Sequence, residues 1–88
     1  MGCTVKALCS RFEEETGQAW DAGAMFQWIK ANRIRVPELR AGVVFMPVST
    51  GVNTPETTFL KDPACELLME RMRAMIAFTV GRQLGNTE

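Results

Sequence analysis

Residues 62–84 read DPACELLMERMRAMIAFTVGRQL, and the rest of the chain is arranged around them. Asp62 is a good N-cap, because its carboxylate accepts from the free N–H groups of a first turn. Pro63 fits the first helical position, where its missing N–H costs nothing. Gly85 followed by Asn86 supplies a stop. The residues between are rich in Leu, Met, Ala and Arg, all good helix formers. The stretch therefore predicts a helix over 63–84, roughly 33 Å long at about 1.5 Å per residue. At helical spacing Leu68, Met69, Met72, Met75, Ile76, Thr79 and Val80 share one broad apolar face. Leu67, Ala74, Phe78 and Gly81 form a narrower second stripe, with Arg71 and Arg82 on one flank and Glu70 on the other. A helix on the surface of a monomer needs one apolar face, so a second stripe predicts burial from two sides. In a chain this short the expected second partner is another copy. Leu67, Met69, Met72, Met75 and Phe78 are the candidate dimer or partner interface, since thioether side chains re-pack readily against different surfaces. The competing reading places the same methionines in the core.

Working outward, 88 residues make a single domain, 1–88. A chain of this size buries a modest share of its surface, and self-association would add to its stability. Hydrophobic residues make up 47% and charged residues 23% of the sequence, which places it among globular chains rather than disordered ones. Ten basic and ten acidic residues cancel, so overall charge directs the protein to neither nucleic acid nor acidic membranes. The charge is unevenly spread. Glu13, Glu14 and Glu15 are consecutive, whereas Lys30, Arg33, Arg35 and Arg40, set against Glu38, leave a local excess of three positive charges. No apolar run reaches membrane-spanning length and no secretory leader is expected, so the expected location is cytoplasmic, with no membrane partner. The opening Met-Gly-Cys resembles an acylation start, but that pattern wants Ser or Thr at position six, where Lys6 stands.

Upstream, residues 4–15 read as a first helix. Thr4 caps it, and Val5, Leu8, Cys9 and Phe12 fall on one stripe. The three glutamates sit at the wrong end for the helix dipole, either as a solvated helix end or as a match for the basic segment, and Gly17 stops the helix. Asp21 is the next N-cap, for a helix over about 22–31 with Met25, Phe26 and Ile29 inward and Trp28 to one side. Arg33 to Val36 alternates basic and apolar residues before Pro37, which reads as a strand over 33–36. A stronger strand comes next over 43–47, after a 37–42 turn of helical type. Residues 48–61 form a turn-rich loop, with a third strand at 57–60 as an alternative. The fold class is α+β and mostly helical: two short N-terminal helices, a small antiparallel hairpin or three-stranded sheet, and a long C-terminal helix.

The chemistry available is limited. The chain has no histidine, so the usual general base at neutral pH is missing. Cys3, Cys9 and Cys65 are an odd number with no C-x-x-C spacing, which argues against both a disulfide scaffold and a zinc site. Cys65 in a first helical turn is the one candidate for a lowered thiol pKa; otherwise it packs as a small hydrophobe. No phosphate loop or Ca²⁺ loop is present. No catalytic residue, metal or cofactor is expected, and the protein reads as a non-enzyme.

One segment bears on partners. Residues 21–47, with the row MFQWIKANRIRVPELRAGVVFMP over 25–47, have a helix–helix–hairpin order. Through Trp28, Ile29, Asn32, Ile34, Gly42, Phe45 and Pro47 they resemble the winged-helix DNA-binding domain of the excisionase and mercury-resistance-regulator type. Asn32 stands where that family usually has glycine. The resemblance implies DNA contact through the Gln27–Arg40 region. Lys30, Arg33, Arg35 and Arg40 would then meet phosphates and Gln27 a base edge. The other expected function is a small dimeric adaptor or regulator that binds a protein partner through the Met-bearing helix or the 48–61 loop.

Overall fold

In a computed structural model of the protein, residues 2–86 are described, with side chains described through Ile76. The order of elements is β1 (Cys3–Thr4), α1 (Val5–Thr16), α2 (Ala22–Asn32), α3 (Pro37–Gly42), β2 (Val43–Phe45), β3 (Thr58–Leu60) and α4 (Asp62–Asn86). The chain is thus α+β, mostly helical, with a three-stranded antiparallel sheet. The helix ends show the expected chemistry. Thr4 Oγ1 accepts from the Ala7 N–H at 3.1 Å, and Gly17, left-handed at φ 75°, donates its N–H to Glu13 O at 2.7 Å. Asp21 Oδ1 accepts from the N–H groups of Gly23 and Ala24 at 2.9 and 3.3 Å. Each cap satisfies donors or acceptors that a helix end leaves open.

The expected strand over 33–36 does not form. Arg33 keeps helical angles, φ −57° and ψ −39°, and the Val36 N–H donates to Asn32 O at 3.0 Å, so the chain turns directly out of α2. Pro37 then begins α3 instead of ending a strand, a role its fixed φ suits equally well. The basic–apolar alternation was not a burial signal, because Ile34 is 80% exposed. The strand expected over 43–47 is shorter, 43–45, and pairs not with 33–36 but with β3, in the register Val43↔Leu60, Val44↔Phe59, Phe45↔Thr58. Residues 58–60, the alternative third strand, are the centre of the sheet. On their other side β1 pairs as Cys3↔Leu60 and Thr4↔Phe59, giving the order β1-β3-β2. Thr4 therefore ends a strand and caps a helix at once.

One face of this sheet packs on the core. Val5, Leu8, Cys9 and Phe12 come from α1, and Met25, Phe26 and Ile29 from α2. Leu39, Val43 and Leu60 lie between, and Ala64, Cys65, Leu68 and Met72 come from α4. Each fully buried Leu, Phe or Met contributes about 1.5–3 kcal/mol by leaving water. The two helical stripes of the N-terminal half are those expected from their spacing. The short α3 lies tightly on α4. A Cβ at Gly42 would come within 2.8 Å of Ala64 Cβ and 3.0 Å of Ala64 N, so only glycine fits this approach.

The α4 face is divided differently from expectation. Leu68 and Met72 are buried, and Leu67, Met69 and Ile76 are half-buried against the core. Met72 is 0% exposed, so a single chain closes over it and it is not part of a surface for a partner. Met75 is 45% exposed. Phe78, with the rest of the expected second stripe beyond Ile76, lies outside the described side chains.

Candidate functional site

The residues singled out by charge are all exposed along the second half of α2, the turn after it and α3. Burial of Met25, Phe26 and Ile29 turns Gln27 and Lys30 outward, and Arg33, Arg35 and Arg40 come after them on the exposed turn and α3. Lys30 Nζ lies 5.0 Å from the centre of the Phe26 ring, and Arg33 Cζ lies 4.7 Å from that of Phe45. A cation over an aromatic face is held by the ring's negative π-surface. Arg40 Nη1 donates to Ile34 O at 3.3 Å, which closes the turn. Among the described residues none of Lys30, Arg33, Arg35 and Arg40 forms an ion pair. The glutamates of α1 do not answer them: Glu15 meets Arg73 of α4 instead, at 3.9 Å.

The 48–61 loop reaches the same place. The Met46 N–H donates to Thr57 O at 2.9 Å, which carries the β2–β3 ladder one pair further. With its amide NH₂ turned inward, Asn53 donates to Met46 O at 2.9 Å and to Thr57 O at 3.2 Å, and so spans the base of the loop. Thr57 Oγ1 accepts from the Thr54 N–H at 2.8 Å, and Thr58 Oγ1 donates to Thr54 O at 2.9 Å. Short polar side chains bonding nearby backbone hold turns in this way. The tip turns at Gly51, φ 72°, and presents Val52, which is 66% exposed. A groove of about 290 Å³ results, lined by Phe26, Lys30, Phe45, Gly51, Val52 and Asn53. It has an aromatic floor, an apolar tip on one side and Lys30 on the other, with Arg33 lying over the Phe45 ring beside it.

Two further grooves flank α4. One, of about 250 Å³, lies between α2 and α4 and is lined by Trp20, Ala24, Met25, Trp28, Arg71 and Met75. Arg71 Cζ sits 4.1 Å from the centre of the Trp28 ring, and Trp20 meets Phe12 edge-on at 5.8 Å. The other, of about 310 Å³, is lined by Leu8, Arg11, Asp62, Cys65, Glu66, Met69 and Arg73. Of the candidate interface residues, Met69 and Met75 therefore line separate grooves, and Leu67 is half-buried.

Cys65 does not have the lowered pKa expected of a thiol in a first helical turn. Burial pushes it from the ordinary 9.0 up to about 11, and the neighbouring Cys3 adds to the rise. Burial, then Asp21 and Cys3, push Cys9 up to about 11 as well. Desolvation disfavours the thiolate more than a helix end favours it. Among the described residues no cluster of three or more His, Cys, Asp or Glu side chains is placed to hold a metal, and no helix is long and apolar enough to cross a membrane.

The role of Val52 and Asn53 carried no sequence signal beyond their place in a long loop. Stacking of Arg33 on Phe45 carried none, since it depends on the turn at 33–36. No family model, curated protein or solved structure matches the chain.

Proposed function

We propose that the protein is a small non-enzymatic binding module, which takes a segment of a partner protein in the groove between the end of α2 and the 48–61 loop. The observation that carries this reading is that Lys30, Phe45 and Val52, distant in sequence, line one groove. An apolar side chain of the partner would cover Val52 and the edge of Phe45. A neighbouring carboxylate would be met by Lys30 and Arg33 with charge-assisted hydrogen bonds. Covering Val52 alone is worth about 1 kcal/mol or more by area, so a short segment giving micromolar affinity, about 8 kcal/mol, needs the cations as well. Three free thiols fit a reducing compartment such as the cytoplasm. A homodimer joined along the Met75 side of α4 is compatible with this groove, which α4 does not line, and sedimentation over a range of concentrations tests it.

Selection of displayed random peptides on the immobilised full-length protein tests the groove. Acidic residues next to an apolar one should be enriched. The selected peptides should lose at least about tenfold in affinity, about 1.4 kcal/mol, against Val52→Asp and against Lys30→Glu with Arg33→Glu. Unchanged affinity in both variants would refute the proposal.

A second reading, a DNA-binding regulator working through Gln27, Lys30, Arg33, Arg35 and Arg40, is favoured by the exposure of all four cations without ion pairs among the described residues. Each phosphate neutralised would steepen the logarithmic salt dependence of binding by about 0.9. A gel-shift titration on random duplex DNA at low salt, with no retarded band, would exclude it.

A further inference from the structure

We propose that Cys3 and Cys65 are a reversible oxidation site, which a hydroperoxide such as hydrogen peroxide converts to a disulfide joining β1 to α4. The residues are 62 positions apart, yet their Sγ atoms lie 3.8 Å apart. A disulfide bond is about 2.05 Å long, so the sulfurs need to approach by less than about 2 Å, within reach of side-chain rotation. Their surroundings assign them different parts. Cys3 is half-buried on a two-residue edge strand, the more accessible and more yielding partner. Gly2 before it lies against Leu60 O and the Phe59 ring so closely that no side chain fits there. Cys65 is 8% exposed, fixed in the first turn of α4, and its thiol donates to Leu60 O at 3.4 Å.

The chemistry closes with the oxidant alone. The Cys3 thiolate attacks one peroxide oxygen, the O–O bond breaks, hydroxide leaves, and Cys3 becomes a sulfenic acid. The Cys65 sulfur then attacks the Cys3 sulfur. The S–S bond forms, the S–O bond breaks, and the departing hydroxide takes the Cys65 proton as water. In sum two thiols and one peroxide give one disulfide and two waters. Burial keeps Cys65 a thiol until that step and shields it from direct oxidation. A dithiol reductant reverses the reaction by thiol–disulfide exchange. Cys9, buried in the core, remains a free thiol throughout.

The test treats the reduced full-length protein with stoichiometric hydrogen peroxide, removes the peroxide, blocks the remaining thiols with a maleimide in denaturant so that buried thiols react, and maps peptides by mass. The expected result is one labelled thiol, at Cys9, an intramolecular link between residues 3 and 65, a raised melting temperature, and full reversal by dithiothreitol. Cys9→Ala should keep the link. Cys3→Ser, a near-isosteric change at a half-buried edge position, should lose it. Sulfinic acid at Cys3 with Cys65 still free, a link through Cys9, or a link only between molecules would each overturn the proposal.

Discussion

Met72→Ala separates a core role for the methionines of α4 from a role at a partner surface. Met72 is wholly buried within the cluster formed by α1, α2, α3 and the sheet, whereas Met75 is nearly half exposed. Truncation at a closed site forfeits the transfer free energy of the thioether and leaves a cavity, together about 2–5 kcal/mol. In a domain of this size each kcal/mol moves the melting temperature by about 4–8 °C, so Met72→Ala should melt at least about 8 °C lower. Against a net stability of about 5–15 kcal/mol it should still be folded at 25 °C. Its urea midpoint should fall by about 0.7 M or more at a slope of about 1–3 kcal/mol per M. Met75→Ala should stay within about 1 kcal/mol of the parent, as surface substitutions do. Tryptophan emission is a suitable probe, since Trp20 packs edge-on against Phe12 and Trp28 lies beneath Arg71. The titration is run at several protein concentrations, because stability that depends on association falls on dilution. A loss below about 1 kcal/mol, a loss equalled by Met75→Ala, or a loss that grows on dilution would refute the assignment of Met72 to the core of one chain.

Gly42→Ala should destabilise by about 1–2 kcal/mol in urea titrations: overpacking against Ala64 costs about 1–3 kcal/mol and outweighs the gain of up to about 1 kcal/mol from removing a helical glycine. Adding Ala64→Gly should recover part of the loss. Stability should also depend on alkaline pH. Cys9 and Cys65 titrate near 11 in the folded chain against an ordinary 9.0, so the folded state holds their protons longer. The stabilising contribution is whole below pH 9.0 and is lost as pH rises through about 11. Thermal melts between neutral and strongly alkaline pH should fall less steeply in Cys9→Ala than in the parent. A disulfide between residues 3 and 65 closes a loop of 62 positions. The loop-entropy relation then sets an upper bound of about 4 kcal/mol on its stabilisation, less any strain, readable as the difference in urea midpoint between oxidised and reduced protein.

The helices were legible in the sequence because their signals are local. Val5, Leu8, Cys9 and Phe12 repeat at helical spacing, Thr4 and Asp21 each cap the turn immediately C-terminal to them, and Gly17 is needed where φ turns positive. The sheet was legible in part, because its pairing is not local. Strands of two or three residues carry no period, and nothing within residues 3–4 states that they lie beside 59–60. The segment 33–36 shows how a short alternation misleads. Arg33, Ile34, Arg35 and Val36 fit a strand in isolation, but the expected partner, β2, pairs with β3 instead. The segment keeps the helical turn that α2 began, and its Val36 N–H is satisfied by Asn32 O. The cationic segment was found by composition, yet its geometry was not, since the stacking of Arg33 on Phe45 results from that turn. The Cys3–Cys65 contact had no sequence signal, and an odd cysteine count pointed away from any pairing.

The proposed groove and the core are held by different forces, and this bears on how variants can be interpreted. The core rests on apolar burial shared by α1, α2, the sheet and α4, so its loss is cooperative. The loop that carries Val52 is held by polar bonds from Asn53, Thr54, Thr57 and Thr58 to nearby backbone, and its tip is in water. Lys30 and Arg33 are exposed and stack on rings from outside. Substitutions at Lys30, Arg33 or Val52 therefore remove little buried area and should leave the unfolding transition within about 0.5 kcal/mol of the parent. A binding defect in such a variant then reports the groove itself. An equal defect produced by Met72→Ala would report only the fraction of chain still folded. The two are told apart by whether the loss of binding tracks the urea midpoint from variant to variant.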